Sequence, residues 1–122
     1  METTDDTKTK RTVLITGGSK GIGLATARLC LEQGCRVILI ARDKKSLEDA
    51  RSRLVENGHP ARDIHLEVAD MVDCAAIPDL VARLPWIEDG LWGLVPNAAV
   101  EILKRVEDIE LDDLEKTLRI NV

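Results

Sequence analysis

The sequence predicts an α/β fold in which a parallel sheet is doubly wound by helices on both faces. Three observations predict it. Short apolar runs alternate with helix-patterned segments along the chain, the sequence mark of strand–helix–strand units. The first such run, Thr12–Thr16, stops at a cluster of glycines, Gly17 to Gly23, and a helix pattern begins at once. The run Cys35–Ile40 is broken only by Arg36, as expected of a strand buried on both faces.

Each element follows from its residues. Thr12–Thr16 is the first strand. Gly21 to about Gln33 is the first helix, with Ile22, Ala25 and Leu29 as its inward face and Gly34 as its stop. Cys35–Ile40 is the second strand. Asp43 caps a second helix that runs to about Asn57, with Leu47, Ala50, Leu54 and Val55 inward and Gly58 ending it. Ile64–Val68 is the third strand. Met71–Leu84 reads as a weaker helix with Pro78 in its first turn. Leu91–Val95 is the fourth strand, and Leu111 opens a last helix carrying Leu114, Leu118 and Asn121 at i, i+4 and i+7. Right-handed crossovers give the spatial order 3-2-1-4. Ligands bind such sheets at the carboxyl ends of the strands, where the order reverses. The first strand delivers Gly17 to that point and the fourth delivers Asn97.

A chain of 122 residues, 44% hydrophobic and 32% charged, suits one globular domain. Residues 1–10 are polar and mixed in charge and are expected to form a flexible arm, leaving 11–122 as the domain. That arm lacks the apolar centre of a secretion signal, and no apolar stretch approaches the ~18 residues that span a bilayer. A net charge of -5 argues against a nucleic-acid surface. Cys30, Cys35 and Cys74 show no metal-ligand spacing and read as buried thiols in a reducing compartment, with the cytoplasm as the expected location. His59 and His65 have no Cys/His cluster around them, so no metal is expected. Trp86 and Trp92 are expected to pack around the fourth strand, and the acidic run Glu107–Asp113 to cap the last helix.

The glycine cluster carries the chemistry. Glycine lets the backbone take positive φ and approach a ligand closely. The first-turn N–H groups of the following helix lack internal partners, and the helix dipole adds roughly half a positive charge there. A pyrophosphate satisfies both. A P-loop is disfavoured because Lys20 is followed by Gly21, and G-x-G-x-x-G fits poorly because Thr26 stands where its last glycine would fall. The motif present is Thr16-Gly17-x-x-x-Gly21-x-Gly23. It resembles the cofactor loop of the short-chain dehydrogenase/reductase family, and the resemblance implies a Rossmann-type fold with a nicotinamide dinucleotide at Gly17, Ser19, Lys20, Gly21, Ile22 and Gly23.

Further positions extend the resemblance. A carboxylate about 20 residues past the glycine loop would hold the ribose 2′-hydroxyl of NAD. Ala41 stands there, followed by Arg42, as in relatives that prefer NADP. A guanidinium fork matches a 2′-phosphate, and Lys20 is the second basic position such relatives use. NADP(H) is therefore the favoured cofactor. Asp43 keeps NAD(H) as the alternative, although helix capping accounts for it better. Glu67-Val68-Ala69-Asp70 resembles the family's Asp-hydrophobic-x-Asp beside the adenine, with Glu67 longer than the usual acid and Val68 against the ring edge. A purely structural strand-end acid is the competing reading of Glu67. Pro96-Asn97-Ala98-Ala99 resembles Asn-Asn-Ala-Gly, matching at Asn97 and Ala98. Asn121 falls at the position that holds a water in the family's proton relay.

The relay's remaining members are a Ser and a Tyr-x-x-x-Lys pair. The chain holds no tyrosine, and its serines are Ser19, Ser46 and Ser52, none at a matching place. The resemblance covers residues 11–122 but only about the amino-terminal half of a typical member, so the domain is expected to be incomplete at its carboxyl end. These residues alone are expected to be inactive. The reading is thus the NADP(H)-binding part of an oxidoreductase that moves hydride between nicotinamide and a carbonyl or alcohol; the alternative is a non-catalytic dinucleotide-binding or interaction module. The uncharged fourth strand is expected to be an exposed edge through which copies self-associate.

Overall fold

A computed structural model describes residues 10–71, 73–97, 106–113, 115 and 118. The four apolar runs form one parallel sheet: β1 (Thr12–Thr16), β2 (Arg36–Ala41), β3 (Ile64–Val68) and β4 (Gly93–Pro96). Its order is β3-β2-β1-β4, as the sequence predicts. Thr12 sits opposite Arg36, Val37 opposite Ile64, and Val13 opposite Gly93. β2 starts one residue later than expected because Cys35 still belongs to the end of the preceding helix: its N–H donates to the Cys30 carbonyl at 3.0 Å, around Gly34 at φ 85°. β4 starts at Gly93 rather than Leu91, although the Trp92 N–H already donates to the Thr12 carbonyl at 2.9 Å.

The helices are α1 (Gly21–Glu32), α2 (Lys44–Glu56) and α3 (Ile77–Arg83). Side chains alternate across the pleat, so each strand feeds two cores. Val13, Ile15, Val37, Leu39 and Ile64 pack under α1 and α2 with Ala27, Leu31, Leu47 and Leu54. Leu14, Ile38 and Ile40 face the other way, onto Leu80 and Leu84. Both faces of β2 are therefore covered, which is why its apolar run has no alternation. β4 pairs with β1 on one side and leaves Leu94 60% exposed.

Several details differ from the sequence reading. α1 buries Gly23, Ala27 and Leu31, while Ile22 is 76% and Leu29 55% exposed and Ala25 is also exposed. Its inner face is made of small residues because the helix lies close against β1 and the glycine loop, and that requirement sets its roll. On α2, Leu47, Ala50 and Leu54 are inward as expected but Val55 is exposed. The expected helix over Met71–Leu84 is a single 3-10 turn, Cys74–Ala76, followed by α3, with Pro78 in the first turn of α3. Trp86 does not pack around β4. It lies on the β2–β3 side, with the Arg36 guanidinium 4.7 Å from its ring centre and His65 edge-on at 6.2 Å. Trp92 is exposed beside β4, under Arg11 at 4.9 Å. Cys35 is buried and Cys30 half-buried, but Cys74 is exposed. Beyond β4, Leu111–Asp113, Glu115 and Leu118 are helical, and the Asp113 carboxylate accepts from the Glu110 N–H at 3.1 Å. Leu114 lies outside the described residues.

Candidate functional site

The loop after β1 is tied to β2 before it turns. The Gly17 N–H donates to the Ile40 carbonyl at 2.8 Å, and Gly18 shares the same carbonyl at 3.4 Å. Gly17 and Gly21 take φ of 69° and 54°, which an L side chain resists. The space a Cβ would fill at Gly21 is open, so the loop's outer side is accessible. Gly23 has a different task. A Cβ there would fall 2.2 Å from the Gly17 carbonyl oxygen and 2.8 Å from Asn97 Nδ2. The same Asn97 Nδ2 donates to the Gly17 carbonyl at 3.2 Å, across 80 residues of sequence. Gly17, Gly23 and Asn97 thus lock the end of β1, the start of α1 and the end of β4 into one unit. Gly18, which the motif spacing treats as a free position, is also constrained: a Cβ would meet the Leu39 side chain at 2.9 Å. No sequence spacing signals this, since Leu39 comes from another strand.

Above this unit α1 begins without a cap. Lys20 occupies the cap position in an extended conformation, makes no side-chain bond to the helix, and no acid stands in the first turn. The first-turn N–H groups are therefore turned outward with no side chain to satisfy them, beside the partial positive charge of the helix end. Ser19, Lys20 and Gly21 form one wall of a cavity of about 270 Å³; Ser46, Asp49 and Arg53 of α2 form the opposite wall. Ile22 is exposed on the first turn.

Two acids near the site, Asp43 and Glu67, are occupied. Asp43 accepts from the Lys45 N–H at 3.0 Å and from the Ser46 hydroxyl at 2.8 Å, capping α2. The Ser46 bond, then the Lys45 N–H, hold its carboxyl below the ordinary carboxylate range, and the charge of Lys20 adds to this. Glu67, expected at the open end of β3, is only 16% exposed at its side chain and faces α3. Its carboxylate takes Arg83 Nε at 2.8 Å on one oxygen and His65 Nε2 at 3.0 Å on the other. Burial pushes this carboxyl up, but the bonds and charges of Arg83 and His65 outweigh burial and set it below its usual value. These bonds are of the kind the structural reading of Glu67 expects. Val68 does reach an opening: it lines a cavity of about 190 Å³ with Asp70, Met71 and Leu80 at the carboxyl end of β3. Arg42 is exposed just past β2, and the cavity beside Lys20 is lined by other residues. Arg53 of α2 lines that cavity. Ala98 and Asn121 lie outside the described residues.

Comparison with known proteins places the chain in a family. The family described as short chain dehydrogenase matches residues 11–122. The chain belongs to that family. Its relatives include an uncharacterized oxidoreductase of Bacillus subtilis, 32% identical over 89% of this chain and 30% of the relative. A glucose 1-dehydrogenase of Gluconobacter oxydans is 37% identical over 90% of this chain and 41% of that enzyme. Among solved structures, the Pseudomonas aeruginosa RhlG/NADP active-site complex superposes with a TM-score of 0.77 at 33% identity, covering 92% of this chain and 42% of that one. The short-chain dehydrogenase chain therefore spans less than half the length of these relatives and supplies the dinucleotide-binding fold of an oxidoreductase family. Among the described residues, no helix is long and apolar enough to cross a membrane, and no group of His, Cys, Asp and Glu is arranged to hold a metal ion.

Proposed function

We propose that this chain is the NADP(H)-binding part of a dehydrogenase or reductase acting on a carbonyl or alcohol. The observation that carries the reading is the start of α1: uncapped, free of acid, open at Gly21, and held in place by Gly17, Gly23 and Asn97. The outward N–H groups of the first turn bind the pyrophosphate, and Gly17 and Gly21 let the backbone approach it. Ser19 and Ile22 flank this contact. Lys20 supplies positive charge for the 2′-phosphate, and Val68 packs against the adenine edge. Relatives solved with NADP support the choice of cofactor. When bound, the dinucleotide gives or takes hydride at nicotinamide C4. Asn121 holds a water for the proton relay, and Ala98 lines the ribose. The reading places the protein in the cytoplasm and allows copies to associate through the free edge of β4.

A second reading is a dinucleotide-binding module without catalysis, and it applies to the 122 residues acting by themselves, which include no tyrosine for the family's general acid. Calorimetric titration with NADP+ and NAD+ tests the shared part of both readings, with tighter binding of NADP+ expected. Turnover assays on a panel of carbonyls and alcohols separate them. These residues alone are expected to give no turnover, and robust turnover would show that another group supplies the proton. Light scattering tests the edge, and a strict monomer refutes it.

A further inference from the structure

The far end of α1, away from the glycine loop, brings two thiols together through the backbone that ends the helix. The Gly34 N–H donates to the Leu31 carbonyl at 3.0 Å, and the Cys35 N–H donates to the Cys30 carbonyl at 3.0 Å. Gly34 turns the chain between them at φ 85°. This paired ending sets the side chain just past the left-handed glycine against the one five residues earlier, a place commonly filled by two hydrophobic groups. Here both groups are cysteines. A carbonyl-to-N–H bond of this length also holds the two Cα atoms within about 7 Å, the reach of a disulfide.

Their surroundings give the two thiols different access. Cys35 is 6% exposed and belongs to the core under α1, while Cys30 packs half-buried against that core. Both line a cavity of about 600 Å³ at the amino ends of the strands, together with Arg11, Leu29 and Trp92. No carboxylate is among the described residues that line it, so an anionic reagent meets no repulsion there. Burial, and then the neighbouring Cys35 sulfur, push the Cys30 thiol above its ordinary value, which keeps it a slow and selective nucleophile. Cys74 stands apart, exposed on the 3-10 turn before α3 and on the other face of the sheet.

We infer that Cys30 and Cys35 are a redox modification site, a dithiol that closes to a disulfide when it meets a small-molecule disulfide. The Cys30 thiolate attacks one sulfur of the reagent, whose S–S bond breaks and releases one thiol. The Cys35 thiolate then attacks the Cys30 sulfur of the mixed disulfide and releases the second. The protein gives up two electrons and two protons, and the reagent is reduced to two thiols. The test equilibrates the full chain with mixtures of reduced and oxidised glutathione, blocks remaining thiols with iodoacetamide, and reads the tryptic peptide 29–36, which holds both cysteines. Wild type is expected to give this peptide two hydrogens lighter, with neither glutathione nor alkyl group. Cys35→Ala and Cys35→Ser are expected to trap one glutathione on Cys30. Repeated in denaturing urea, the equilibrium is expected to favour the disulfide about tenfold less than in the folded chain. A folded wild type whose peptide carries two alkyl groups or two glutathiones overturns the inference. Equal preference in buffer and urea overturns it as well, since the fold would then not bring the sulfurs together. Alkylated Cys30 in both Cys35 variants overturns the attack from Cys30.

Discussion

α1 and α2 both start at the carboxyl end of a parallel strand, pack on the same face of the sheet and have nearly equal lengths, yet their first turns are opposites. α2 is closed by its own sequence, with Asp43 accepting from the Lys45 N–H and the Ser46 hydroxyl. α1 begins at Lys20 with no side-chain cap and no acid. An Asp or Ser cap stabilises a helix by about 1 kcal/mol over an uncapped start, so α1 forgoes a common stabilisation. Its position is fixed from outside the helix, by Gly23 against Gly17 and by Asn97 from β4. One helix end serves its own stability, and the other is held rigid by tertiary contacts so that its N–H groups stay available.

This contrast can be broken at four points. The largest effect is expected from Gly23→Ala, because a methyl group 2.2 Å from a carbonyl oxygen must push α1 off the loop. Overpacking of this kind costs on the order of 3 kcal/mol, which urea denaturation should register along with loss of dinucleotide binding. Lys20→Asp comes next and sharpens the comparison most. It gives α1 the kind of start α2 has, so the melting temperature should hold or rise while dinucleotide affinity falls on the order of a hundredfold by calorimetry. A fall in both would mean Lys20 is needed for the fold.

Glu67→Gln probes the opposite face of the sheet and leaves the helix starts alone. Losing the charged partner of Arg83 and His65 should cost about 1–2 kcal/mol at neutral pH with dinucleotide affinity unchanged. The Glu67 carboxyl titrates below its unfolded value, so this stabilisation is present above the ordinary carboxylate pKa and vanishes as pH falls through the lower, folded one. Wild type and variant should therefore converge in acid. Asp43→Ala should have the smallest effect, a drop of a few degrees in melting temperature that fades in acid for the same reason, because the Asp43 carboxyl is also held low. Dinucleotide binding that disappears in Asp43→Ala would mean the two helix starts are coupled.

The sheet was legible because continuous apolar strands and glycine stops are local signals. The convergence of Gly17 and Asn97 followed from strand order alone. What stayed hidden depends on partners from elsewhere. The inner face of α1 differs from the one the apolar spacing predicts because the small residues Gly23 and Ala27, with Leu31, let the helix sit close, and closeness to a neighbouring strand leaves no mark in apolar spacing. Gly18 gains meaning only from Leu39 on a neighbouring strand. Glu67 is a different case, since strand parity places it with His65 on the α3 side, and that alternation was available in the sequence.

The Gly17–Asn97 bond also bears on when the binding site comes into being. Asn97 is made long after β1, α1 and β2 have been synthesised, yet it braces the first turn of the chain. Until β4 arrives, β1 offers a bare edge and α1 has nothing to fix its pitch against the loop. Closing so long a loop is costly in chain entropy and slow, so the cradle should be among the last structures to mature. A growing chain would show protected amides in the β1–β2 pair well before it could grip a dinucleotide. Competence to bind would then signal that β4 has docked, and ligand added during refolding would capture only molecules in which it had.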